Sequence, residues 1–138
     1  MNRYLIMAAA FLVTAFVIIQ YGTFRCKSGF RDPLMYSLFG PPLDKYTDGW
    51  AASHFIFYGV LAYVFPEPRD LALVWIVGVV WELIEMHFRD HPFYLSDCSK
   101  GATVEGKEGW WYGRWEDIVV NTMGMIVGYG IRRYRFKV

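Results

Sequence analysis

His54, Glu82, Glu85, Asp117 and Asn121 are the side chains of this sequence whose types and spacing could do chemistry together. Glu82 and Glu85 are three apart, so on a helix they share one face and can reach a common ligand. Two carboxylates held together repel unless a cation or a shared proton intervenes. Asp117 and Asn121 are one helical turn apart and add oxygen donors from another segment. Oxygen donors of this kind suit calcium, with magnesium also allowed, whereas zinc asks for more histidine or cysteine. The imidazole of His54 beside such a cluster suits abstraction of a proton from an alcohol. Each group also has a plainer role. Glu82 and Glu85 can be helix-end carboxylates meeting headgroups or water, and a lone histidine can simply hydrogen-bond a neighbouring helix. His87 and His91 read as interfacial and structural rather than catalytic.

The elements that must position these groups are four apolar segments near 4–20, 50–66, 71–88 and 118–131, separated by polar connections over 21–49 and 89–117. His54 lies one turn into the second segment, Glu82 and Glu85 close the third, and Asp117 opens the fourth. If the segments cross a bilayer in alternation, all four groups reach one face. Ionisable residues inside a membrane are costly, and a functional site is the first hypothesis for them. Composition points the same way: of 138 residues, 55% are hydrophobic and 20% aromatic, and charges gather between the apolar runs. The expected architecture is all-α, a polytopic integral membrane helical bundle of about four transmembrane helices forming a single membrane domain. The net charge of +1 does not select a partner, and without a basic stripe or recognition motif no nucleic acid is expected.

The first segment could be a retained span or a cleaved signal peptide, but its exit, Gln20-Tyr21-Gly22-Thr23-Phe24, lacks a small-x-small cleavage site and favours retention. The 21–49 connection is broken by Gly29, Pro33, Gly40, Pro41 and Pro42, yet its apolar side chains predict a short amphipathic piece along the interface. The link Glu67-Pro68-Arg69-Asp70 predicts an antiparallel hairpin of the second and third segments. Trp110, Trp111, Tyr112 and Trp115 resemble an aromatic belt. Gly124, Gly128 and Gly130 allow close helix approach, within the chain or with a homo-oligomeric or membrane-complex partner through the Gly124/Gly128 face. Arg132, Arg133, Arg135 and Lys137 lie directly against a span, which places both termini in the cytosol. Cys26 and Cys98 then share the opposite side, where an oxidising compartment would permit a disulfide.

Asp48, Gly49 and Ala52 fit the start of the CDP-alcohol phosphotransferase signature, but Ser53 replaces its arginine and the later aspartates are missing. No phosphate-binding loop, nucleophile elbow or zinc-spaced cysteine pair is present. The succession Ser53-His54-Phe55, Trp81-Glu82-x-x-Glu85-x-x-Phe88, Glu108-Gly109-Trp110-Trp111, Glu116-Asp117 and Asn121-x-x-Gly124-x-x-x-Gly128 resembles base-exchange phosphatidylserine synthases across residues 48–130. An acid four before Asn-x-x-Gly-x-x-x-Gly also resembles VanZ-like membrane proteins, and Asp117 with Asn121 matches that spacing.

The first resemblance implies a calcium-dependent exchange in which serine, or a similar small alcohol, displaces the choline or ethanolamine of a membrane phospholipid. His54 then matches the general base, Glu82 and Glu85 the metal-binding acids, and Asn121 the asparagine of the last core helix. The synthase spacing selects Glu116 as the acid before Asn121, the VanZ-like spacing Asp117; both stand as candidate ligands, and Asp117 also as a candidate catalytic group. Tyr112 departs from the synthases, which carry an acid after the paired tryptophans. Besides the lipid-headgroup enzyme, a VanZ-like protein without exchange activity and a noncatalytic subunit of a membrane complex remain open at the level of sequence.

Overall fold

The computed structural model describes residues 2–28, 32–90 and 113–136, and among these every regular element is helical. Helix α1 spans Arg3–Ser28, α2 Gly49–Val64, α3 Pro68–Asp90 and α4 Trp115–Phe136, with short 3-10 turns at Pro33–Met35 and Asp44–Tyr46. The described residues fall into two compact units, one containing α1 through Asp32, the other containing 33–87 and 113–136.

In the first unit, α1 runs eight residues beyond the expected stop at Gln20. Gly22 alone costs a helix only about 1 kcal/mol, and no proline intervenes before Pro33. The helix presents Leu5, Leu12, Val13 and Phe16 to the outside. Beyond it, Asp32 folds back: Tyr21 donates to Asp32 Oδ1 at 2.7 Å and Arg25 to Oδ2 at 2.9 Å. These two bonds account for a carboxylate that is almost fully buried.

In the second unit, the prolines and glycines expected to break regular structure do so. Residues 33–48 form a closed loop, with Ser37 bridged to Asp48 and the Leu38 N–H donating to the Thr47 carbonyl at 2.9 Å. The expected amphipathic piece is present only as 3-10 turns, and Leu38 and Phe39 project outward. The α2–α3 link is as short as expected. Pro68 opens α3, where its missing N–H has no intrahelical role.

Helices α2 and α4 approach through glycine. A Cβ on Gly124 would strike the Phe55 carbonyl oxygen, and one on Gly128 would strike that of Gly59. Gly124 and Gly128 therefore face α2 of the same chain, whereas a Cβ on Gly130 would meet nothing within 4 Å. Helix α3 joins the pair through Gly78, whose missing side chain admits the Tyr58 ring, and through Trp75 Nε1, which donates to Thr122 Oγ1 at 3.1 Å.

By length and composition, two helices suit a membrane crossing: Arg3–Arg25, 23 residues, and Pro68–Phe88, 21 residues. At 1.5 Å per residue they reach about 34 and about 31 Å, the thickness of a hydrocarbon core. The first lies near the N-terminus, where a signal sequence has the same character. Helix α2 is apolar but has 16 residues.

Candidate functional site

Asp48 starts the construction. It sits just before α2 in extended conformation and its side chain accepts the Ala51 N–H at 2.7 Å. This N-cap satisfies one of the donors that a helix start leaves open. It also fixes the first turn of α2, and His54 projects from the next turn. Arg114, immediately before α4, donates through Nη2 to Asp48 Oδ2 at 2.7 Å, and its Nε lies 3.6 Å from Asp117 Oδ2. One guanidinium thus ties the start of α2 to the start of α4.

Helix α4 begins at Trp115, so Glu116 and Asp117 belong to its first turn rather than to the preceding connection. Acids there are favoured by the partial positive charge of the helix N-terminus. Both are buried, as are Glu82 and Glu85 on α3.

The three helices meet at His54, Glu82 and Asn121. His54 Nδ1 is 3.0 Å from Asn121 Oδ1 and 3.3 Å from Glu82 Oε1, and Asn121 Nδ2 donates to the same Glu82 oxygen at 3.3 Å. These contacts fit one tautomer. The Asn121 amide gives its N–H to Glu82, so its oxygen faces His54 and requires a hydrogen on Nδ1. In the neutral imidazole, Nε2 is left with its lone pair. The histidine is oriented as a base, with one nitrogen held and the other able to take a proton. Its side chain keeps 14% exposure while that of Glu82 has none. Tyr58 lies one turn further along α2 with its ring centroid 6.5 Å from the imidazole.

Asp48, Glu82, Glu85, Glu116 and Asp117 bury five carboxyl groups near two groups that can be cationic, Arg114 and His54. Glu82 Oε2 and Asp117 Oδ1 are buried without a hydrogen-bond partner. Such an excess calls for bound protons, water or a cation. Carboxylate oxygens are the donors a hard cation takes. Among the described residues, however, no three His, Cys, Asp or Glu side chains converge as a ready metal cage. The donor chemistry fits a calcium or magnesium ion, and its convergence is incomplete.

The structure therefore brings His54, Glu82, Asp117 and Asn121 to the same end of the α2–α3–α4 bundle, with Glu85 and Glu116 buried on the elements that supply them. His87 is exposed. His91, Cys98 and the segment Glu108 to Tyr112 lie outside the described residues. Two residues of this network were not anticipated, Arg114 and the capping role of Asp48. Their signals were present: an Asp-Gly step before an apolar helix is an N-cap pattern, and an arginine three before an aspartate can pair with it.

Among the described residues, fold and site together define a helical architecture with two helices suited to crossing a membrane and a buried carboxylate–histidine–asparagine cluster at one end of a three-helix bundle. Comparison with protein-family models, curated proteins and solved structures finds no match.

Proposed function

We propose that this chain is a polytopic membrane protein of about four spans, in which α2 and α4 complete the bundle, and that it exchanges phospholipid headgroups for serine. The observation that carries this proposal is the clamp on His54 Nδ1, 3.0 Å from Asn121 and 3.3 Å from Glu82, which leaves Nε2 for a hydroxyl. In the proposed reaction His54 Nε2 takes the serine hydroxyl proton as that oxygen attacks the lipid phosphorus. The bond from phosphorus to the choline or ethanolamine oxygen breaks, and the leaving oxygen recovers the proton from the imidazolium. One phosphodiester replaces another, so neither nucleotide nor redox partner is required.

Glu82, Glu85, Glu116 and Asp117 are the groups that would hold a calcium ion, with magnesium as the alternative. When bound, the ion would neutralise phosphodiester charge. The remaining work belongs to the chain: Asn121 and Glu82 fix the imidazole, Arg114 fixes Asp117, and the helix packing restricts water. A second reading is supported by Asp117, four before Asn121 and in contact with Arg114: a VanZ-like membrane protein with the same cluster and no exchange.

The test is incorporation of labelled serine into lipid by the purified full chain in vesicles of phosphatidylcholine and phosphatidylethanolamine, with calcium or a chelator. Calcium-dependent product is expected, reduced about 100-fold or more in His54→Ala, the usual scale for a lost general base. Circular dichroism of the variant separates lost chemistry from lost fold. No product from folded wild-type protein with either donor lipid would rule out exchange.

A further inference from the structure

The opposite end of the α2–α3–α4 bundle has a different chemistry. There the last turns of α2 and α4 meet, and the short link from α2 leads into α3. Tyr63, on α2, organises two arginines of α4: the Arg132 guanidinium lies 5.6 Å from the centre of its ring, and Arg135 Nη1 donates to its hydroxyl at 3.3 Å. Arg132 is also 4.3 Å from the Phe136 ring, and Arg133 is 5.8 Å from that of Tyr129. Cations held over aromatic faces gain attraction and lose rotamer freedom in the same contact. Among the described residues, Arg132 and Arg135 meet rings and a phenol but no carboxylate within ion-pair distance. Among those residues, most of their N–H donors are therefore unused. The neighbouring acids are Glu67, exposed in the α2–α3 link, and Asp70, buried in the first turn of α3. Arg69, Arg132, Arg133 and Arg135 outnumber these two acids at the ends of α3 and α4, so positive charge prevails.

Depth supplies the partner. Ile126, Val127 and Ile131, in the turns just before these arginines, are large apolar side chains on the outside of α4. Helix α3, whose apolar length suits a bilayer, begins at this same end. An apolar surface that ends in pre-oriented guanidinium groups matches the boundary between acyl chains and phosphate. We propose that Arg132 and Arg135, held by Tyr63, form a binding site for the headgroups of anionic phospholipids. Planar guanidinium donors pair with phosphate oxygens in bidentate fashion, which a lysine cannot reproduce. The proposal does not depend on headgroup exchange, because it uses none of the residues at the other end.

The experiment uses the full chain in detergent, titrated with phosphatidylglycerol, with phosphatidylcholine or with inorganic phosphate, and reads thermal unfolding and retained lipid. Phosphatidylglycerol is expected to raise the melting temperature and to remain bound, with the effect weakening as salt increases. Each lost charge should weaken binding roughly fivefold, so R132Q/R135Q should weaken it about 25-fold, the scale for basic groups at an anionic surface. Tyr63→Leu keeps both charges and removes their support; it should weaken binding less than the double variant does. R132K/R135K separates planar pairing from net charge and should not restore wild-type affinity. Equal stabilisation of wild type and R132Q/R135Q would overturn the site, as would equal effects of phosphatidylcholine. Equal stabilisation by inorganic phosphate would overturn the lipid assignment. If R132Q/R135Q fails to fold, R132K/R135K supplies the comparison: binding equal to wild type would overturn the guanidinium site.

Discussion

The two ends of the α2–α3–α4 bundle handle charge in opposite ways. At one end five carboxyl groups are buried beside a histidine and an arginine, and hydrogen bonds between elements join His54 to Asn121, Asn121 to Glu82 and Arg114 to Asp48. At the other, arginines are backed by rings, with Arg132 half-buried and Arg133 and Arg135 exposed. Enclosure makes an unmatched polar atom expensive, so the acidic end must be precise internally or must bind something. Exposure removes that cost, so the basic end gains from an external anion. A single seam serves both, since α2 and α4 are in near backbone contact at Gly59, Gly124 and Gly128, midway between them.

Breaking the seam should therefore abolish the comparison altogether. At Gly128 an added side chain meets the Gly59 carbonyl rather than a movable side-chain tip. Gly128→Leu should cost about 3 kcal/mol or more, at the severe end of overpacking because backbone must shift. Loss of a cooperative thermal transition in detergent, together with loss of anionic-lipid stabilisation, is the expected result. An unchanged melting temperature would show that the helices can separate without penalty. A smaller effect, confined to the acidic end, is expected of Asp48→Ala. It removes the α2 cap and leaves Arg114 without its 2.7 Å partner, a combined cost of about 2–3 kcal/mol once partial solvent access is considered. Binding of phosphatidylglycerol per folded molecule should stay at the wild-type value. Equal weakening there would show that the ends are coupled and the contrast between them is not local.

How much of this was legible in the sequence depended on range. The helices α2 and α3 and the break between them followed from apolar runs ended by Pro66 and Pro68. The boundaries of α1 and α4 did not, because the ends of those helices are polar. Tyr21 to Ser28 and Trp115 to Asp117 continue a helix by hydrogen bonding and capping, which hydropathy does not register. The cluster could be named from His54, Glu82, Glu85, Asp117 and Asn121 because intramembrane polar groups are conspicuous. Its wiring could not. That Asn121 is held by Glu82 while holding His54 depends on a three-way helix contact across 67 residues of chain. The reach of Arg114 was equally illegible, since Asp48, the second carboxylate it meets, is 66 residues away. The glycines of α4 announced a close approach but not its partner, since a small-residue face fits α2 and another chain equally well.

The smallest effect tests what holds α3 against that seam. Thr122 accepts the Trp75 indole N–H at 3.1 Å while donating to the Ile118 carbonyl one turn back, and Trp75 is 43% exposed. Thr122→Val keeps the side-chain shape and removes the acceptor. Because the indole can turn to another partner at an exposed position, the loss should be about 0.5–1 kcal/mol, the net worth of an ordinary hydrogen bond. Paired with Trp75→Phe in a double-mutant cycle, the coupling should be about 0.6 kcal/mol, typical of interhelical hydrogen bonds in membranes. Both ends should keep their properties, with serine incorporation and phosphatidylglycerol binding at wild-type levels. A coupling several times larger would mean that this one polar contact, rather than the fit of Tyr58 over Gly78, sets the position of α3. Glu82 and Glu85 ride on α3, so the geometry of His54 would then depend on a bond at the outer surface of the bundle, and the acidic end would be less self-contained than its enclosure implies.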